Sequence, residues 1–178
     1  NLTEKVIGIA FDGTGLGEDN HIWGGEFLVA NFKDYCRVGH LKYQAMPGGE
    51  QAISQPWRMA YSYLYSIFGE EIANSNLELI KRRTSKELYL LNQIIDKRIN
   101  SPFTSSCGRL FDAIAALINL KDEVNFEGQA AVELEAMCQS KYKDYYPYSI
   151  EEETPNWIVN TEEMFLQIVH EMGSHENR

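Results

Sequence analysis

The sequence lacks long apolar runs and an excess of positive charge. No stretch reaches the roughly 18 consecutive apolar residues of a membrane-spanning helix, and no charged-then-apolar signal peptide opens the chain. There are 16 Lys and Arg against 26 Asp and Glu, a formal net charge of −10. Because nucleic acids and anionic membranes are bound through basic surfaces, neither is predicted as a partner.

Cysteine and histidine are also scarce. The 3 cysteines show no Cys-x-x-Cys spacing, which favours free thiols in a reducing compartment and predicts a cytoplasmic protein. Cys107 stands where a helix begins, a place that lowers a thiol pKa, but no histidine lies near it in sequence, so a buried small residue is favoured over a nucleophile. The 4 histidines contain no pair at helical spacing, which leaves no zinc motif.

The periodicity of apolar residues predicts strands first and then mostly helices. Strand patterns cover 5–10, 27–32 and 35–43 within a β-rich region over 1–45. Helical spacing occupies 55–140, followed by a polar linking stretch over 141–160 and a last helix over 161–172. The fold class is therefore α+β (α/β). Since the chain begins with Asn1 rather than Met and enters a strand almost at once, we expect a segment of a longer polypeptide.

The stretch "FDGTGLGEDNHIWGGEF" (residues 11–27) holds five glycines between the first two predicted strands. An ordinary hairpin needs only about two to five connecting residues. Backbone N–H groups bare of side chains can form a concavity that binds phosphate, and Asp12 could hold a cation beside it. The alternative is that Asp12–Gly13 is merely a turn dipeptide.

Two further stretches offer polar groups at the start of a helix. In "SSCGRLFDA" (105–113), a serine can cap the helix while Arg109 and Asp112 share one face; the alternative is a simple local ion pair. In "FEGQ" (126–129), a glycine turn enters a helix whose N-terminus could bind an anion or a ribose hydroxyl, or could just begin the helix.

Four sequence blocks occur in this order: "FDGTGLGEDNHIWGGEFL", "MPGGEQAISQPWRMA", "SSCGRLFDAIAALINL" and "FEGQAAVELEAM". Together they resemble the HypF family, the carbamoyltransferases of NiFe-hydrogenase maturation. The resemblance covers Val6 to Cys138. It implies a partial actin/Hsp70-like (ASKHA) carbamoyl-transfer domain spanning 1–178. The family's upstream histidine-rich metal motif and its downstream glycine segments do not occur in this chain, so the resemblance implies that the fragment is inactive alone.

The resemblance also implies a reaction. A YrdC-like domain uses carbamoyl phosphate and ATP to make a carbamoyl-adenylate, and the carbamoyl group passes to the C-terminal cysteine of HypE, where it serves cyanide-ligand synthesis. A divalent metal, iron or zinc, belongs to the complete domain. No catalytic residue is assigned; the implied metal ligand is Asp12, and the implied nucleotide- or phosphate-binding residues are Gly13, Thr14, Gly15, Asp112 and Gly128.

Two alternatives remain open. The tyrosine-rich stretch over 142–148 would suit a docking segment for HypE or for the YrdC-like domain, since aromatic residues are favoured at interfaces. A related O-carbamoyl or tRNA threonylcarbamoyl transferase is the other alternative. The acidic net charge disfavours its tRNA version, because neutralising phosphates needs Lys and Arg.

Overall fold

The first two strands are longer than the sequence pattern predicts. In the computed structural model, which describes residues 4–139 and 144–175, β1 spans Val6–Leu16 and β2 spans Ile22–Ala30. The two pair antiparallel, so most of the expected glycine-rich loop is strand and only residues 17–21 connect them. β3 (Tyr35–Leu41) pairs antiparallel with β2 on its other edge.

Four shorter strands complete the sheet: β4 (Gln44–Ala45), β5 (Phe103–Thr104), β6 (Ser149–Glu153) and β7 (Asn156–Asn160). The order is β4-β5-β2-β3-β7-β6, with β1 paired to β2. The predicted linking stretch is wrong over 149–160, because these residues form a hairpin whose inner strand runs parallel to β3. Residues 140–143 and 176–178 lie outside the described part of the chain.

The helical region follows the predicted periodicity. The helices are α1 (Gln51–Ser54), α2 (Pro56–Phe68), a 3-10 helix (Gly69–Asn74), α3 (Glu78–Lys81), α4 (Ser85–Asp96), α5 (Cys107–Leu117), α6 (Gln129–Met137) and α7 (Glu162–His175). Pro56 begins α2 where a missing N–H costs nothing. Thr84 and Glu87 form a capping box at α4, which satisfies two N–H groups reciprocally.

The core lies where α2 and α5 pack together against the sheet. Met59, Leu64 and Leu117 are fully buried there, and Phe165 of α7 closes it. Each such side chain contributes about 1.5–3 kcal/mol through removal from water. This packing fixes α5, so the position of its first turn against the sheet is set by the core. Among the described residues, no helix has the length and apolarity to cross a bilayer.

Candidate functional site

A bulge in β1 forms one wall of the candidate site. Phe11 lies opposite Gly25 and Gly15 opposite Trp23, so β1 carries Asp12–Thr14 where β2 has only Gly24. We call these residues the Asp12–Thr14 bulge. A bulge frees backbone groups from the ladder and re-aims side chains, and bulges are common beside active sites. Within this one, Gly13 N donates to Asp12 Oδ1 at 2.6 Å.

The N-terminus of α5 packs directly on the bulge. Ser106 caps the helix, its Oγ accepting from Arg109 N at 3.1 Å. The same hydroxyl lies 3.0 Å from the carbonyl oxygen of Asp12 and in closer contact with that of Gly13. A Cβ on Gly108 would lie 2.9 Å from Gly13 Cα. The bulge therefore touches the helix backbone, beside the positive end of the helix macrodipole.

Gly24 and Gly25 explain why this region is rich in glycine. A Cβ on Gly24 would lie 2.5 Å from the carbonyl oxygen of Asp12, and a Cβ on Gly25 would lie 2.3 Å from that of Ser105. Both separations are below the 3.0 Å that real Cβ atoms essentially never show. The two glycines thus let β2 fit between the bulge and the segment that leads into α5.

A buried carboxylate ties these backbones together. Glu26 is 3% exposed, and its Oε2 accepts from Gly24 N at 2.6 Å and Gly25 N at 2.7 Å. Its Oε1 accepts from Arg37 Nη2 at 2.9 Å and from Ser105 Oγ at 2.5 Å. The carboxylate therefore joins β2, β3 and the entry to α5 in one hydrogen-bonded cluster.

Arg37 extends this cluster to the β1–β2 connection. Its Nη1 lies 3.1 Å from Asp19 Oδ2 and donates to Tyr43 OH at 2.8 Å, and the guanidinium covers the Trp23 ring at 4.1 Å. Partial burial on its own would raise the pKa of Asp19. Hydrogen bonds from Tyr43, from His21 N and from Trp23, together with the Arg37 charge, instead lower that pKa to about 2.

A cavity of about 400 Å³ opens beside the bulge. Its walls come from β1, the first turns of α5 and the turn that enters α6, three stretches far apart in the sequence. Of the residues implied by the sequence, Asp12, Gly13, Asp112 and Gly128 line it. Thr14 and Gly15 lie outside the lining, although Thr14 belongs to the bulge.

An ion pair is buried at the wall of this cavity. Arg109 Nε lies 2.8 Å from Asp112 Oδ2, with the side chains 2% and 3% exposed. Burial raises the pKa of Asp112 to about 6; the charge of Arg109 opposes this rise and that of Glu127 adds to it. Among the described residues, Arg109 Nη1 is a buried donor with no hydrogen-bond partner. A polar ligand is one way to satisfy such groups.

Cys107 also lines the cavity but does not have the character of a nucleophile. The residue is 7% exposed, and burial raises the pKa of its thiol. A raised pKa keeps the thiol protonated, whereas the thiolate is the reactive form. The geometry favours the interpretation of Cys107 as a small buried residue.

The described residues do not fit a metal centre by themselves. No three His, Cys, Asp or Glu side chains among them are arranged to hold one ion. Asp12 offers a carboxylate, one oxygen of which already accepts from Gly13 N. Glu127 lies nearby, since its Oε1 would be 3.2 Å from a Cβ on Gly13. Two carboxylates are too few, so no chemical step is assigned to a metal in this chain.

Glu26, Arg37 and Ser105 are the residues that sequence reasoning missed. Glu26 follows the glycine pair in "WGGE", and Ser105 is one of two adjacent serines that the sequence offers as a helix cap. Their importance comes from contacts between positions as distant as 26 and 105, which local periodicity does not encode. The available signal was the glycine pair itself, because clustered glycines predict a close approach of two backbones.

The bulged strand, the capped helix and the glycine turn belong to a mixed α/β domain and surround a cavity where the sheet meets the helices. Residues 8–178 match the family model described as "Carbamoyltransferase, Kae1-like Domain, second subdomain". The chain belongs to this family.

Relatives support the same assignment. The carbamoyltransferase HypF of Synechocystis sp. is 37% identical over 189 residues, covering 99% of this chain and 25% of the relative. The probable carbamoyltransferase HypF of Methanocaldococcus jannaschii is 35% identical over 181 residues, covering 100% of this chain and 23% of the relative. The chain therefore spans about a quarter of the length of these relatives.

Solved structures agree in fold. Full-length HypF in its phosphate- and nucleotide-bound form matches with a TM-score of 0.82 and 43% identity, covering 94% of this chain and 25% of that chain. HypF of T. kodakarensis matches with a TM-score of 0.74 and 29% identity, covering 96% of this chain and 23% of that chain. The mixed α/β architecture is thus shared along nearly the whole of this chain.

Proposed function

We propose that this chain is part of an ATP-dependent carbamoyltransferase of NiFe-hydrogenase maturation, within a partial actin/Hsp70-like domain, and that its cavity binds the nucleotide. One observation carries the proposal: Asp12, Gly13, Asp112 and Gly128 come from three separate stretches of the sequence and line a single cavity. Membership of the carbamoyltransferase family and a relative crystallised with phosphate and nucleotide support it.

In this proposal the nucleotide phosphates lie at the Asp12–Thr14 bulge and the first turn of α5. The macrodipole favours an anion there, by about 0.3–1 kcal/mol at an exposed site. Gly13 N is already bound to Asp12 Oδ1, so a phosphate oxygen must displace that bond or rely on the helix end. Asp112 and Gly128, which also line the cavity, contact the nucleoside part.

The overall reaction follows from the resemblance to HypF. The cysteine thiolate of HypE, its proton already lost to solvent, attacks the carbamoyl carbon of carbamoyl-adenylate; a C–S bond forms, and AMP leaves as the C–O bond breaks. The residues of this chain bind and orient the adenylate; none is assigned as a proton donor or nucleophile. Asp12 is retained as a ligand for iron or zinc only together with ligands outside the described residues, and the fragment alone is expected to be inactive.

Asp12→Ala in the full-length protein tests the proposal. We expect carbamoylation of the HypE cysteine, followed by mass spectrometry, to fall at least tenfold, with a loss of bound metal. Asp34→Ala is the matched control, because Asp34 Oδ1 likewise accepts from the next backbone N–H, that of Tyr35 at 2.8 Å, in an exposed turn far along the sheet. Normal transfer and normal metal content in Asp12→Ala would contradict the assignment.

A second candidate function is docking of HypE or of the YrdC-like domain. An apolar groove of about 690 Å³ runs over the sheet face, lined in part by Tyr146, Tyr148 and Trp157, which are 42%, 57% and 50% exposed. Exposed aromatic side chains are typical of interface anchors. Tyr142, part of the same predicted stretch, lies outside the described residues.

Binding of HypE to the full-length protein separates the two candidates. Tyr148→Asp should weaken binding at least tenfold if this groove is the docking surface, while Tyr89→Asp, at a comparably exposed tyrosine on α4, should not. Unchanged HypE affinity in Tyr148→Asp would rule the groove out as the HypE contact. A related O-carbamoyl or tRNA enzyme remains the weakest alternative, and the net charge of −10 opposes tRNA binding.

A further inference from the structure

Glu26 is a buried carboxylate beside the cavity that is held entirely by hydrogen-bond donors. Its two oxygens accept from two backbone N–H groups, a guanidinium and a hydroxyl. The residue is 3% exposed, so solvent adds little to this arrangement. Yet it does not line the cavity, and the proposed function gives it no role.

The donors tie Glu26 to the segments that carry the cavity wall and to the sheet behind them. Gly24 lies so close to Asp12 and Ser106, and Gly25 so close to Ser105, that a Cβ on either would collide with the neighbouring backbone. Ser105 immediately precedes the residue that caps α5 and touches the carbonyls of Asp12 and Gly13. Arg37 anchors the carboxylate to β3. The spacing between bulge and helix N-terminus therefore depends on where Glu26 holds these groups.

We propose that Glu26 is a positioning residue for the phosphate-binding side of the cavity, setting the gap between the Asp12–Thr14 bulge and the N-terminus of α5. The inference rests on the proposed nucleotide site and adds a specific expectation. Disturbing Glu26 should weaken recognition of the phosphates and leave recognition of the nucleoside, which lies against Asp112 and Gly128, nearly intact.

The donor pattern explains why a carboxylate is required at this position. In Glu26→Gln the side-chain NH₂ must face either the two glycine amides or the pair formed by Arg37 and Ser105. The hydroxyl of Ser105 can rotate to accept a hydrogen bond, but a guanidinium has no acceptor. Replacing Arg37 by methionine removes that conflict, so Glu26→Gln/Arg37→Met should recover much of what Glu26→Gln loses.

The experiment uses the full-length protein and a readout confined to this cavity. Hydrogen exchange at peptides covering β1 and α5 is followed while ATP, and separately adenosine, is titrated. We expect Glu26→Gln to raise the ATP concentration needed for half-maximal protection about tenfold, and the corresponding adenosine concentration less than twofold. The double variant should recover at least half of the ATP effect on a logarithmic scale. Glu152→Gln, at an exposed glutamate on β6, should behave as wild type.

Three results would overturn the inference. Equal losses for ATP and adenosine would show a merely structural role, and no loss for either would show that Glu26 does not position the site. Absence of ATP protection in the wild type would contradict the proposed nucleotide site itself, and the inference with it. Should Glu26→Gln fail to fold, Ser105→Ala removes a single donor; a loss confined to ATP then supports the inference, and any other pattern contradicts it.

Discussion

Gly25→Ala tests whether close approach of backbones is what the glycine pair provides. The new Cβ would lie 2.3 Å from the carbonyl oxygen of Ser105 and 2.7 Å from Leu41 Cδ1. The leucine methyl can rotate away. The carbonyl cannot, because Ser105 N donates to Ile22 O at 2.9 Å and holds the segment on β2. Relief therefore requires β2 and the entry to α5 to separate by about 1 Å.

We expect a cost near the upper end of the 1–3 kcal/mol that overpacking usually produces. Reduced freedom of the unfolded chain returns about 0.4–1 kcal/mol, which leaves a net loss of about 2 kcal/mol. In full-length protein this should speed hydrogen exchange of the amides at the start of α5 by about 30-fold.

Gly8→Ala is the control for this measurement. A Cβ on Gly8, in the neighbouring strand β1, would meet only Leu28 Cβ at 3.9 Å, an ordinary contact. Exchange in Gly8→Ala should therefore match that of wild type. If Gly25→Ala exchanges like Gly8→Ala, the close-approach explanation of the glycine pair is refuted.

Three further outcomes follow from single contacts. Ser106→Ala removes the cap on Arg109 N and should destabilise α5 by about 1 kcal/mol, measured by the same exchange experiment. The pKa of Asp19 is 3.8 without these contacts and about 2 with them, so the ionised carboxylate stabilises the fold fully above about pH 5 and progressively less as the pH falls through 2. Trp23 fluorescence should follow this loss, and the pH dependence should be absent in Asp19→Asn. Iodoacetamide should modify the two exposed cysteines well before Cys107.

The helices were the predictable part of the fold. Pro56 at the start of α2 and the apolar spacing along α4 and α5 identify those helices, because amphipathic periodicity and end signals are local. The hairpin of β6 and β7 was not predictable in the same way. Its outer strand, "SIEEE", is exposed along most of its length, and its inner strand is held by parallel pairing with β3, a contact that leaves no local pattern.

The candidate site shows the same division. The sequence identifies Gly13, Asp112 and Gly128 one by one, from glycine turns and a helix face. Only the fold places them around one cavity. The Asp12–Thr14 bulge was expected to be part of a loop because glycine predicts turns; instead the strands continue through it. Glu26 was overlooked because a lone carboxylate in sequence does not reveal the donors that fold around it.

Whether Asp12 binds a cation can be decided from the direction in which Asp12→Ala changes ATP protection. A carboxylate beside a phosphate is repulsive, by about 1 kcal/mol at 4 Å in water and more in a cleft, unless a cation lies between them. Without a cation, Asp12→Ala removes the repulsion and frees Gly13 N, so ATP protection of β1 and α5 in hydrogen exchange should strengthen. With a cation bound through Asp12, it should weaken, and chelation of metal from wild type should reproduce that weakening. Stronger protection in Asp12→Ala with metal present would therefore refute a metal-ligand role while leaving the nucleotide site in place.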